Sequence, residues 1–129
     1  MRGSVIDTNV VIKMLDNDRA AIALLGSIER AYLPAVVAGE LLYGAYKSSR
    51  KQENLTLFQS VISKFEMLFV DKAVANSYGI IKAELVAKGN VIPENDVWIA
   101  AIAHANGLSL ATFDAHFKNV SEIAVIGPP

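Results

Sequence analysis

Residues 4–15 read SVIDTNVVIKML and set the pattern for the whole chain. A short apolar run ends at Asp7, and the apolar residues between Val10 and Leu15 then recur at helical spacing. This stretch therefore predicts a strand, a tight turn and a helix. The same order of a short apolar strand followed by a helix recurs along the sequence.

Further apolar runs and amphipathic stretches divide the rest of the chain into predicted elements. The predicted strands lie at 31–33, 67–70, 108–112 and 123–126. The predicted helices lie at 21–28, 36–44, 52–65, 73–87 and 96–105. Short apolar strands that alternate with helices predict an α/β fold, in which helices cover both faces of a parallel sheet.

The composition limits the class of protein. The chain has 129 residues, of which 53% are hydrophobic and 19% are charged, with a formal net charge of −1 and no cysteine. We therefore expect one domain over residues 1–129, and we exclude disulfides, thiolate metal sites and cysteine nucleophiles. No run offers the roughly 20 apolar residues that a membrane span needs, and the N-terminus does not resemble a signal peptide. A cytoplasmic protein without membrane contact is expected.

Four acidic residues stand out by their positions. Asp7 and Asp114 each follow a predicted strand, Asp96 opens a predicted helix, and Glu40 lies within an apolar helical stripe. Each has an ordinary explanation: Asp7 and Asp96 as helix caps, Asp114 as a turn residue, and Glu40 as an ion-pair partner or a partly exposed edge residue. Taken together, they are predicted to meet at the carboxyl edge of a parallel sheet, where ligands bind in such folds.

Carboxylates gathered at one edge repel one another and raise each other's pKa values. A hard divalent cation such as Mg²⁺ removes that penalty, and it supports metal-assisted hydrolysis of a phosphodiester. The sequence contains no P-loop, no Gly-x-Gly-x-x-Gly and no Gly-x-Ser-x-Gly motif. His104 is expected to pack or to interact with the C-terminal end of its helix. His116 is expected to pack or cap beside Phe117, with substrate contact as the alternative.

Four short segments, in order, resemble the signature of PIN-domain ribonucleases, specifically the VapC-type toxins of bacterial toxin–antitoxin modules. These segments are VIDTNV (5–10), ELLYG (40–44), DVWIAA (96–101) and TFDAHF (112–117). The resemblance extends over nearly the whole chain. It implies a PIN-like three-layer α/β/α fold with a central parallel sheet.

The resemblance also implies an acidic pocket that binds one or two Mg²⁺ or Mn²⁺ ions and activates water for RNA cleavage. Its four catalytic carboxylates would be Asp7, Glu40, Asp96 and Asp114. Asp7 and Asp96 are expected to be direct metal ligands, whereas Glu40 and Asp114 would bind directly or through water. Asn9 and Thr112 fit the family's supporting positions.

Basic side chains near an acidic pocket would offset the repulsion of an RNA substrate. The candidates are Lys13, Lys47, Arg50 and Lys51, although ordinary solvated helix surface is the favoured explanation for any one of them. Proteins of this family are usually homodimers neutralised by a cognate antitoxin. Apolar stripes at 20–30 and 52–65 could provide such contacts, although core packing explains most of these residues equally well.

The leading hypothesis is thus a Mg²⁺-dependent endoribonuclease that acts as a toxin. The alternative from another class is a catalytically silent PIN-like module that binds RNA or protein. Aspartyl-phosphate chemistry is disfavoured, because it requires a second carboxylate two residues after the nucleophile, and the chain has Asn9 there.

Overall fold

The computed structural model describes residues 3–127, and its five short strands form one sheet. The strands are β1 (Ser4–Ile6), β2 (Ala31–Pro34), β3 (Glu66–Leu68), β4 (Ser109–Ala111) and β5 (Val125–Ile126). Every neighbouring pair is parallel, and the order across the sheet is β3-β2-β1-β4-β5. The predicted parallel sheet is confirmed.

Six α-helices connect and flank these strands. They are α1 (Thr8–Leu15), α2 (Arg19–Gly26), α3 (Ala35–Tyr46), α4 (Lys51–Ile62), α5 (Lys72–Lys88) and α6 (Glu94–Ala105). A short 3₁₀ helix, Ala115–Asn119, follows β4. The predicted three-layer α/β/α fold is therefore confirmed. No helix in the described range is long and apolar enough to cross a membrane.

The core forms around the central strand. All three residues of β1 are buried, because β2 and β4 pair with its two edges and helices cover its faces. Ile6, Leu33, Leu110 and Phe117 are among the largest side chains that are fully buried. This burial explains why the strands read as short continuous apolar runs rather than as alternating patterns.

Three of the predicted elements differ from the structure. The prediction of a buried strand at 67–70 is wrong, because β3 is an edge strand that ends at Leu68 and leaves Phe69 65% exposed. The helix predicted at 52–65 ends at Ile62. Helix α6 begins at Glu94, so Asp96 lies inside its first turn rather than at the cap, which is Pro93.

The connectivity of the sheet determines where a site can form. The chain runs outward from β1 through β2 to β3 on one side, and β4 and β5 lie on the other side. A crevice therefore opens at the carboxyl ends of β1 and β4, where the strand order changes direction. Asp7 directly follows β1, and Thr112 directly follows β4.

Candidate active site

Asp7 is held by three hydrogen bonds at the end of β1. Its Oδ1 accepts from the backbone N–H of Thr8 at 2.8 Å, and its Oδ2 accepts from Thr112 Oγ1 at 2.7 Å and from Asn9 Nδ2 at 3.3 Å. Asp7 is only 4% exposed. Burial raises the pKa of its carboxyl, and the hydrogen bond from Thr112 opposes that shift only in part.

Asn9 and Thr112 join two loops around Asp7. Asn9 Oδ1 accepts from the backbone N–H of Phe113 at 3.1 Å, and Thr112 Oγ1 accepts from the backbone N–H of Asp114 at 3.0 Å. The turn after β1 is thereby tied to the segment after β4. Both side chains lie where the sequence predicts them, against the carboxylate that they would orient.

Asp96 faces the same crevice from the first turn of α6. Its Oδ2 lies 2.6 Å from Nε2 of His116, whose Nδ1 lies 2.8 Å from Oδ1 of Asp114. One imidazole thus bridges carboxylates from two different elements. Burial raises the pKa of Asp96, and the negative charges of Asp7 and Asp114 raise it further, while His116 lowers it.

Glu40 reaches the crevice from α3. Its Oε1 is buried and has no hydrogen-bond partner within residues 3–127. Burial raises the pKa of Glu40, and the negative charges of Asp7 and Asp96 add to that increase. The side chains of Asn95 and Thr8 oppose the increase only in part. Over the described part of the chain no lysine or arginine pairs with Glu40, so the ion-pair explanation is wrong. The residue is partly exposed, in agreement with the other ordinary explanation.

All four predicted carboxylates line one cleft of about 680 Å³. The same cleft is lined by Thr8, Asn9, Ile12, Lys13, Asp16, Pro93, Asn95 and His116. The four acidic residues come from four segments separated by 18 to 56 positions, as the motifs predict. The structure therefore brings these side chains together.

Of the basic candidates, only Lys13 lines this cleft, and its ammonium lies 5.1 Å from the centre of the Phe113 ring. Lys47 lies over the ring of Tyr43 at 5.0 Å, and Arg50 pairs with Glu53 at 3.6 Å. Lys51 is exposed at the start of α4. A substrate-binding role for these four residues stays a prediction.

The donor set fits a divalent cation. One ligand atom from each of Asp96, Asp114 and His116 lies within 4.8 Å of the others, and Asp7 and Glu40 add carboxylate oxygens to the same cleft. The pKa values of Asp7, Glu40 and Asp96 are raised, and Oε1 of Glu40 is buried without a hydrogen-bond partner in the described structure, so these carboxylates are destabilising when ionised. A bound cation relieves that cost, and oxygen ligands of this kind suit Mg²⁺ or Mn²⁺.

The contacts that His116 makes with the acidic residues of this site are not predicted from the sequence. Packing beside Phe117 is observed, with ring centres 5.0 Å apart, but the same ring also contacts Asp96 and Asp114. The local signal is the Asp-x-His spacing, because Asp114 caps the 3₁₀ helix and its side chain accepts a hydrogen bond from the backbone N–H of His116 at 3.2 Å. His104 instead contacts Ser77 Oγ through Nδ1 at 2.7 Å, outside the cleft.

Comparisons with known proteins agree with this geometry. Residues 4–123 match the PIN domain family. The chain is 32% identical over 111 residues to Ribonuclease VapC2 of Haemophilus influenzae, covering 83% of each chain. It is 31% identical over 109 residues to a tRNA(fMet)-specific endonuclease VapC of Shigella flexneri, again covering 83% of each.

A solved structure has the same fold. In the crystal structure of DNA-bound VapBC from Salmonella typhimurium, the similar chain is 28% identical, with a TM-score of 0.88 and coverage of 98% of both chains. The residues that match the PIN domain family, 4–123, extend from β1 through the segment that carries Asp114 and His116. The chain therefore belongs to the PIN domain family and, within it, to the VapC ribonucleases.

Proposed function

We propose that this protein is a divalent-metal-dependent endoribonuclease and the toxin of a toxin–antitoxin pair. The observation that carries the proposal is the convergence of Asp7, Glu40, Asp96 and Asp114 on one cleft at the carboxyl edge of the sheet. Similarity to ribonucleases of the VapC family supports nuclease chemistry at this cleft.

The four carboxylates would together bind Mg²⁺ or Mn²⁺. Asp7 and Asp96, the two most buried, would bind the ion directly, and Glu40 and Asp114 would complete the site directly or through water. When bound, the cation supplies an activated water and neutralises negative charge that develops on the scissile phosphate. Asn9 and Thr112 keep the Asp7 carboxylate in one orientation, so that little reorganisation is needed.

A cognate antitoxin and a second copy of the chain are the proposed protein partners. Support for the antitoxin comes from the similarity to the VapC chain of VapBC complexes. Ile22 and Leu57, on two of the stripes proposed for such contacts, are 48% and 44% exposed. The cytoplasmic location stays a prediction.

Neutralising the proposed direct ligands tests the function. Asp7→Asn and Asp96→Asn should each reduce RNA cleavage by at least about 100-fold and abolish growth inhibition, because each removes a ligand charge. Purified protein would be assayed on total RNA with Mg²⁺ or Mn²⁺, and circular dichroism would verify the fold. Glu29→Gln, a change at an exposed side chain outside the cleft, is the matched control and should retain full activity.

Cleavage that persists in both variants after rigorous purification would contradict the proposal. The silent RNA- or protein-binding module predicts a different result. In that case the unmodified protein would show no thermal shift with either ion and no cleavage.

A further inference from the structure

We propose that His116 is a positioning residue that fixes the Asp96 carboxylate in the orientation needed to bind the cation. This inference rests on the proposed function, because it concerns the same cleft. It assigns His116 a role distinct from that of the four carboxylates: it acts through Asp96 rather than on the RNA.

The two proposed direct ligands are held in very different ways. Asp7 accepts three hydrogen bonds, from the backbone of Thr8 and from the side chains of Asn9 and Thr112. Asp96 has one hydrogen-bond partner for its side chain within the described residues, and that partner is His116 at 2.6 Å. His116 alone therefore restrains the Asp96 carboxylate, whereas three groups restrain the Asp7 carboxylate.

His116 is itself restrained from two sides. Its backbone N–H and its Nδ1 both contact Oδ1 of Asp114, at 3.2 and 2.8 Å, and its ring lies beside the fully buried Phe117. The ring therefore contacts Asp96 through Nε2 and Asp114 through Nδ1, at 2.6 and 2.8 Å. The imidazole is thus a rigid link between α6 and the 3₁₀ helix.

The link has a consequence for the cation. With Oδ2 of Asp96 held by His116, the carboxylate has one preferred rotamer, and its second oxygen remains for a ligand in the cleft that Asp96 lines. Hydrogen-bonding partners that orient metal ligands typically change metal affinity by about 10–100-fold when they are removed. Both Mg²⁺ and Mn²⁺ should be affected alike, because the proposed ligand atoms are carboxylate oxygens.

A series of three variants separates the contact to Asp96 from the contact to Asp114. His116→Gln places an amide N–H near the position of Nε2, which faces Asp96, and His116→Asn places one near Nδ1, which faces Asp114. His116→Phe keeps a ring beside Phe117 and removes both contacts. His104→Gln, a change at the chain's other histidine, is the control.

Affinities for Mn²⁺ and Mg²⁺ would be measured by isothermal titration calorimetry in the absence of RNA. We expect His116→Phe and His116→Asn to lose about 10–100-fold for both ions, His116→Gln to recover most of that loss, and the control to match the unmodified protein. If His116→Phe does not fold, the comparison of Gln with Asn still decides the question.

Other outcomes overturn the inference in distinguishable ways. Unchanged affinity in all three variants, or equal losses in the Gln and Asn variants, would show that His116 does not position Asp96 and would leave the proposed function intact. A loss confined to Mn²⁺ would make the imidazole a direct ligand instead. Unmodified protein that binds neither ion would overturn the proposed function and this inference with it.

Discussion

At the scale of single residues, Glu40 carries the clearest electrostatic cost. Its buried Oε1 has no hydrogen-bond partner in the described structure, and Asp7 and Asp96 add negative charge nearby. Its pKa is raised, so the ionised form is less stable in the folded protein than in the unfolded chain. Functional sites commonly retain such destabilising groups because the ligand requires them.

Glu40→Gln should therefore stabilise the metal-free protein. We expect the melting temperature at pH 7.5 to rise by roughly 2–5 °C, because the amide removes a partly buried charge close to Asp7 and Asp96. Because its pKa is raised, ionised Glu40 destabilises the folded protein to the full extent only above that pKa. The destabilisation is absent below the ordinary value of 4.5. The difference between variant and parent should thus shrink as the pH falls toward 4.5.

Differential scanning calorimetry in the presence of EDTA, from pH 4.5 to pH 8, measures this difference. Glu53→Gln is the control, because its carboxylate is exposed and should produce no comparable gain. A gain for Glu40→Gln that is the same at every pH would contradict the electrostatic explanation.

At the scale of elements, α5 shows how single residues determine where a helix begins and where it ends. Its cap residue Asp71 accepts from the backbone N–H of Val74 at 2.9 Å, and its C-terminus is closed by Gly89 in the left-handed region with φ of 71°. A Cβ added at Gly89 would meet no atom within 4 Å, so the requirement there is for the backbone conformation alone. Asp71 therefore marks the start of this helix in the sequence, and Gly89 marks its end.

Two glycine substitutions in this region should have opposite effects. Gly89→Ala should destabilise the protein by about 1 kcal/mol, because alanine is disfavoured at positive φ. Gly79→Ala, in the exposed interior of α5 with no atom within 4 Å of an added Cβ, should stabilise it by about 0.5–1 kcal/mol. Urea denaturation of both variants measures the two free energies of unfolding, and a loss of equal size at Gly79 would contradict this account.

At the scale of the whole molecule, the fold concentrates negative charge. Five of the 13 acidic side chains and one of the 12 basic side chains line one cleft in the described structure, so the other residues of the sequence carry eight acidic and 11 basic side chains. The near-neutral total therefore conceals an acidic cleft within a mildly basic chain. Such a distribution suits a cation in the cleft and a polyanion along the surface around it.

Cation binding should accordingly stabilise the entire fold, because α1, α3, α6 and the segments that follow β1 and β4 all contribute to the cleft. An ion at 100 times its dissociation constant stabilises a protein by about 2.7 kcal/mol. We expect the melting temperature to rise with Mn²⁺ in the unmodified protein and to stay nearly constant in Asp96→Asn. A matching rise in that variant would place the bound ion elsewhere.

The sequence by itself determined the order of strands and helices, the parallel α/β class and four of the five carboxylates that line the cleft. These features follow from apolar periodicity, strand-end positions and local capping, which involve residues close together in the chain. Only the tertiary structure decided that Phe69 is exposed at a sheet edge, that Glu40 lacks an ion pair and that Lys13 alone of the basic candidates lines the cleft.

The same distinction explains His116. Its packing beside Phe117 is local and was predicted, whereas its contact with Asp96, 20 positions earlier, depends on how α6 packs against the segment after β4. Local patterns specify the period and the ends of an element. The partner of a side chain in a distant element is determined only when the packed core sets the distance between them.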